Sequence, residues 1–409
     1  MTKSSSIWLQ SAFLGTLFAI SGLNATAQGK PPSITKAILK PIQAAQAAIK
    51  ASKWQDCISQ LRQADATPGK TPYDDHAINE LLGFCAIRVN DYGTAAKALE
   101  VGLNSGFLES AEVPKRIRAL SQVNYQIKNY GKSIEFGNRA VKGGFADSDM
   151  YTLIAQAYYI QGDYKGTLRF VEDWVGDQQK RGQVPKEQSL QLILSSCIKL
   201  EDSACTTRAL ERLVANYQKD EYWQNLMQSL FRSGGNDKVM LSIYRLATEV
   251  NAMRRAEDFT EMAQLAVEQG LPGEAQSILE TGFSKQIFKD QRDIERNQRL
   301  LTTAKTGAAT DRASLARQDR DAAAAKTGEL DVKLGAAYLS YGQFPQALAV
   351  IQRGIGKGGI KNAPEAQLLL GIAQLRAGNK ADASKAFRAV KGDATLERLG
   401  SLWALRAQG

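Results

Sequence analysis

Histidine is almost missing from this chain: His76 is the single one among 409 residues. A Ser-His-Asp triad therefore has one candidate, and it sits beside Asp74 and Asp75 near a helix start, where a surface or capping role suits it better than catalysis. No G-x-S-x-G elbow accompanies it. Cysteine is also scarce, at positions 57, 85, 197 and 205, and no two are spaced as C-x-x-C, which removes the usual redox and zinc motifs. The Gly-rich run near Ile355 lacks the Lys-Ser/Thr of a phosphate loop. We therefore expect no catalytic residue, no metal, no cofactor and no enzyme activity. Proline is held to ten residues and aromatics to 8%, so neither a fibrous nor a disordered chain is indicated. After Gln28 no run is long and apolar enough for a bilayer span.

What is present begins with an N-terminal address. Lys3 precedes an uncharged run from Ile7 to Leu23 that ends in Ala25-Thr26-Ala27, the small-residue signal for cleavage before Gln28. A retained anchor fits less well, because Ser11, Thr16, Ser21 and Gly22 interrupt the run. No Cys lies there to carry a lipid. Residues 1–27 are thus expected to be a cleaved signal peptide, and the mature protein to be exported, most simply to a Gram-negative periplasm. Removing Lys3 lowers the formal charge from +10 to +9. In an exported protein this excess points away from nucleic acid; with both signs mixed along most helices it reads first as a solvated helical surface, and otherwise as affinity for an acidic protein, an anionic membrane face or a wall polymer.

The mature chain repeats itself. Aromatics at Trp54, Tyr92, Tyr130 and Tyr164 are separated by 38, 38 and 34 residues, each preceded by turn residues such as Asn90-Asp91 or Gly162-Asp163. Three positions after each comes a small residue: Cys57, Ala95, Ser133 and Thr167. Leu334-Gly335 through Ala347 recurs as Leu370-Gly371 through Ala383, at a spacing of 36. Apolar residues recur at helical intervals on both sides of each turn, so every unit reads as two amphipathic helices. A single such hairpin cannot bury its apolar face without neighbours.

With these residues in view, each unit resembles a tetratricopeptide repeat. The resemblance implies an all-α, right-handed superhelical α-solenoid of about nine helical hairpins, and units begin near Ile38, His76, Pro114, Ser148, Glu187, Asp220, Ala256, Gly328 and Pro364. The first has Ala44-Ala45 in place of Leu-Gly. The expected organisation is a polar lead-in at 28–37, an N-terminal array at 38–283, a charged segment at 284–327, and a C-terminal pair with a terminal helix at 328–409. The charged segment, rich in Lys, Arg, Asp and Gln, reads either as a degenerate repeat, as a helical hairpin turning near Gly307, or as a recruiting arm.

The resemblance further implies a concave groove lined by the first helix of each unit. On that register Glu80 and Phe84, then Arg118, Gln122 and Tyr125, then Gln156 and Tyr159 face it, followed by Gln191, Gln228 and Phe231. Glutamine beside tyrosine or phenylalanine suits an extended or helical peptide, since an amide serves backbone groups of either polarity and a ring supplies apolar area. Tyr158 and Tyr164 are assigned to packing between helices, so loss of Tyr164 is expected to lower stability and loss of Tyr159 to leave it nearly unchanged. Repeat geometry prefers disulfides Cys57–Cys85 and Cys197–Cys205. These readings lead to a non-enzymatic periplasmic scaffold that binds a protein or peptide segment of the cell envelope, with TonB-linked transport as one setting. A wall-polymer binding or processing protein is the alternative.

Overall fold

The computed structural model describes residues 32–408. The signal-peptide segment 1–27 lies outside the described residues. Among those described there are twenty helices and no strand. They are α1 (Lys36–Lys50), α2 (Trp54–Asp65), α3 (Pro72–Arg88), α4 (Tyr92–Asn104), α5 (Val113–Gln126), α6 (Tyr130–Lys142), α7 (Ser148–Ile160) and α8 (Tyr164–Lys180) in a first compact unit that ends at Pro185. The second unit begins at Lys186. It holds α9 (Glu187–Lys199), α10 (Ser203–Asn216), α11 (Asp220–Ser233), α12 (Asp237–Glu249), α13 (Ala256–Glu268), α14 (Pro272–Ser284), α15 (Gln291–Ala324), α16 (Glu329–Ser340), α17 (Phe344–Lys357), α18 (Ala363–Arg376), α19 (Lys380–Arg388) and α20 (Ala394–Gln408). Nine pairs are the expected hairpins; α15 and α20 stand alone. No helix among the described residues is long and apolar enough to cross a membrane.

One local device builds eight of the nine hairpin turns. A residue with positive φ ends the first helix, as at Ser52, Asn90, Lys128, Gly162, Glu201, Gly270, Gly342 and Gly378. The next residue sends its N–H back five positions: Asp91 to the Ala86 carbonyl at 2.9 Å, Asn129 to Asn124 at 2.8 Å, Asp163 to Tyr158 at 3.0 Å. That bond satisfies a carbonyl the helix end would otherwise leave open. At four of these turns the second residue, Asp91, Asn129, Asp163 or Asp202, also caps the following helix with its side chain, as Asp91 does at the Thr94 N–H and Asp163 at the Gly166 N–H. The turn dipeptides in the sequence are thus a stop signal followed by a start signal.

Packing within a hairpin rests on small residues. Cys57, Ala95, Ser133, Thr167, Ala275, Ala347 and Ala383 are all fully buried, as required where two helices cross closely. Both disulfides are formed with the expected pairing, at Cα separations of 6.4 Å for Cys57–Cys85 and 5.5 Å for Cys197–Cys205. The first ties α2 to α3 and the second ties α9 to α10.

In the first unit, first helices pack on first helices: α1 meets α3, and α5 meets α7. The second unit departs from this arrangement because of α15. The charged segment is one continuous helix of 34 residues and does not turn at Gly307. At about 1.5 Å per residue it is about 50 Å long. Its buried stripe, Leu301, Ala304, Ala308, Leu315 and Ala322, is mostly alanine, which is why the sequence showed so little apolar signal. It is anchored by polar groups instead: Tyr341 donates to Asp311 at 2.7 Å, Arg353 to Asp319 at 2.7 Å, and the Lys357 ammonium to the Ala322 carbonyl at 2.6 Å.

Inserting one unpaired helix shifts the alternation of layers. Helix α13 packs on α15, but α14 packs on α16, α16 on α18 and α18 on α20. First helices after α15 therefore continue the layer formed by second helices before it. The layer closes on itself: α20 also packs against α10 and α12. Arg398 of α20 pairs with Glu211 of α10, and Arg406 of α20 reaches Glu249 of α12 at 3.4 Å. Lys238 of α12 reaches Glu365 of α18 at 3.4 Å. The second unit is thus a closed ring of helices, not an open stack.

Candidate functional site

The predicted groove residues of the first unit lie on α3, α5 and α7. On α3, Glu80 is held in a two-pronged ion pair with Arg116 of α5, and both side chains are nearly buried, at 8% and 7% exposed. The pair lies against Gly102, where a β-carbon would collide with both partners. Glu80 therefore joins two helices rather than standing open to a ligand. Phe84 is half-buried, edge-on to Trp54 at 5.9 Å and under the Arg88 guanidinium at 5.1 Å.

The next two helices carry a repeated arrangement. Tyr125 near the end of α5 meets Tyr130 at the start of α6 edge-on, at 5.5 Å and 71°. One repeat later Tyr159 meets Tyr164 at 5.2 Å and 64°. The Tyr125 hydroxyl donates to the Gln156 amide oxygen at 3.3 Å, bridging α5 and α7 and leaving that amide's N–H groups for other acceptors. Gln156 is exposed, Gln122 half-buried, and Arg118 pairs with Asp147 at the start of α7. Desolvation raises the Tyr125 hydroxyl pKa, with Tyr130 adding to it, so this hydroxyl keeps the proton it donates to Gln156.

In the second unit Gln191 is exposed on α9 and donates to the Tyr222 hydroxyl at 2.6 Å, while Tyr222 donates to Glu187. Lys219 completes the cluster at 2.6 Å from Glu187. Hydrogen bonds from Lys219 and Tyr222 lower the Glu187 pKa. Gln228 is exposed on α11, and Phe231 tilts against Tyr244 at 4.7 Å. These three do not line the ring's interior, which is built from the other layer.

His76 is not a surface or capping residue. It is 9% exposed, within 2.9 Å of the Ser105 hydroxyl and flanked by Tyr73 and Phe107. The helix is capped instead by Thr71 and Asp74, each bonding the other's backbone N–H. Among the described residues no cluster of His, Cys, Asp or Glu could hold a metal ion.

The hairpins share one contact that decides their kind. Gly83 of α3 takes Leu99 of α4 against its bare α-carbon, Gly335 takes Ile351, and Gly371 takes Phe387. The large partner follows sixteen residues later each time, and a methyl on the glycine would overlap it. Even the first unit keeps the frame, with Ala45 and Leu61 both fully buried in one core. These are tetratricopeptide-like repeats. No family model matches the sequence, and no curated protein does. Solved structures do resemble the chain at low identity. A tetratricopeptide repeat protein from Parabacteroides merdae aligns over 82% of this chain and 99% of its own, at 9% identity and a TM-score of 0.30. The TPR2AB domain of yeast Sti1, in a complex described as containing pHSP90, aligns over 73% of this chain and all of its own, at 14% and 0.26. Yeast Tom70 aligns over 91% and 96%, at 9% and 0.25.

Sequence reasoning missed the wall of the ring in the second unit, to which Arg245, Arg376 and Trp403 contribute. One signal was available. Helix α20 buries Leu396, Leu399, Leu402, Trp403, Ala404 and Ala407, a wider arc than one neighbour can cover.

Proposed function

We propose that this protein is an exported scaffold whose first unit holds a segment of a cell-envelope protein along α5 and α7. The observation that carries this reading is the twice-repeated tyrosine pair with Gln156 between. Two edge-on ring pairs at repeat spacing offer apolar area at intervals, and the amide and hydroxyls between them suit the N–H and C=O groups of an extended or helical peptide. Export through residues 1–27 places the protein in the periplasm, and a TonB-linked outer-membrane system is one assembly it could serve there.

Replacing Tyr159 with a photoreactive phenylalanine in cells, followed by irradiation, tests the reading. A single envelope protein should be captured, and Gln156→Ala should reduce the yield. If the purified mature chain instead binds peptidoglycan or releases fragments from it, and Tyr159 captures no protein, the scaffold reading is wrong and the wall-polymer reading replaces it. Cell fractionation checks the location independently.

A further inference from the structure

The ring in the second unit forms a half-open cavity of about 340 Å³ bounded mainly by α12, α14, α16, α18 and α20. At a liquid-water share of about 30 Å³ per molecule, that is room for on the order of ten non-hydrogen atoms or more. Much of the wall is apolar, including Ile278, Leu339, Leu369 and Ile372. Its charged groups do not balance. Arg245 donates to both Glu274 oxygens, at 2.8 and 2.7 Å, so that pair is neutral. Burial works to lower the Arg245 pKa, but Glu274 and the more distant Glu365 outweigh it and keep the guanidinium charged. Arg376, by contrast, shares the single carboxylate of Glu249 with Arg406, at 2.8 and 3.4 Å. Two guanidinium groups on one carboxylate leave a positive charge in excess, and the Arg376 side chain is still 44% exposed.

A second observation points the same way. Trp403 lines the cavity and is 1% exposed, yet its indole N–H is buried without an acceptor. A buried donor left unpaired costs free energy that a ligand oxygen would recover. The Thr281 and Ser340 hydroxyls in the wall already donate to the backbone carbonyls of Ser277 and Ala337, at 2.9 and 2.7 Å, and can only accept further. Arg376 is thus the charged donor left for a ligand, and the Trp403 N–H is a neutral one.

We propose that this cavity binds a small amphipathic carboxylate, of the size of a medium-chain fatty acid. A planar carboxylate matches the guanidinium fork and can accept from an indole N–H, and an alkyl chain fills the apolar remainder. This goes beyond the scaffold role, which uses the other unit.

Calorimetry on the mature chain with decanoate, decanol and decyltrimethylammonium tests it. Decanoate should bind once per chain and raise the melting temperature, decanol at least tenfold more weakly, and the ammonium not at all. Trp403→Phe, which keeps a ring on Phe387, should weaken decanoate severalfold. Arg376→Gln should erase the preference for decanoate over decanol while leaving decanol binding intact. Ala336→Trp and Ser277→Phe, from two different helices of the wall, should each abolish binding. The proposal is overturned if wild type shows no saturable decanoate binding, if decanol binds equally well, or if a correctly folded filling variant binds as before. None of these results bears on Tyr159 crosslinking.

Discussion

Tyr159 and Tyr164 show how far a register argument reaches. Assigning one ring to the groove and the other to packing treats them as independent, but they form one edge-on pair. Tyr159→Ala should therefore lower stability as well as partner capture, by about 0.5–1.5 kcal/mol for the ring pair alone. Tyr164→Ala should cost more, and a double-mutant cycle by urea denaturation should return a coupling of that size. Additive losses would mean that the rings do not interact. His76 supplies a pH test. Burial lowers its pKa below the ordinary 6.5, Arg116 adds to this, and Glu80 opposes it. A histidine whose folded pKa is depressed contributes fully above the unfolded pKa, and its contribution declines as pH falls from about 6.5 toward the lowered value. Wild type should lose more melting temperature than His76→Gln between pH 7.5 and pH 5. Parallel profiles would sink the assignment. Nothing in the spacing of Asp74, Asp75 and His76 disclosed the burial, since Ser105 and Phe107 reach the ring from after α4.

At the level of elements, the turns were legible because their requirement is local. Positive φ followed by a capping Asx is written in adjacent residues, so hairpin boundaries could be placed before any packing was known. The same logic predicts reciprocal variants. Lys128 holds φ 61° at the position where Gly162 holds 83°. Lys128→Gly should stabilise, by up to about 1 kcal/mol, and Gly162→Ala should destabilise by a similar amount. Differential scanning calorimetry would read both, and a fall for Lys128→Gly would contradict the turn geometry. Helix α15 was harder, because an alanine stripe carries little apolar signal and Gly307 suggested a break. The glycine sits instead where a β-carbon would come within 3.1 Å of Pro272, so its smallness serves packing between α15 and α14.

For the whole molecule, closure of the second unit depends on α20. Ending the chain after Gly392 removes Leu396, Leu399, Leu402 and Trp403 from the core, each worth about 1.5–3 kcal/mol of apolar burial. Such a truncation should make the second unit protease-sensitive and bind a hydrophobic dye, while α1–α8 keep their protection in hydrogen exchange. Equal loss of protection in both units would show that they do not fold separately.

Sequence alone determined the repeat unit, the hairpin boundaries, the positions of close helix crossing and the expected cysteine pairing. Each follows from residues within one or two hairpins, where helical periodicity, a positive-φ stop, a cap and a small residue have local meaning. The side chains proposed for a groove on α5 and α7 rest on that frame, and ring-to-ring contact and the Glu80–Arg116 pair change which of them are available. Tertiary structure decided the rest: a lone helix that shifts the layers, a terminal helix that returns to α10 and α12, and a cavity whose excess charge arises from Arg376, Arg406 and Glu249 meeting across the ring. Glu249 lies more than a hundred residues before either arginine in the sequence, and a local pattern cannot report a meeting that depends on the summed rotations of every hairpin between them.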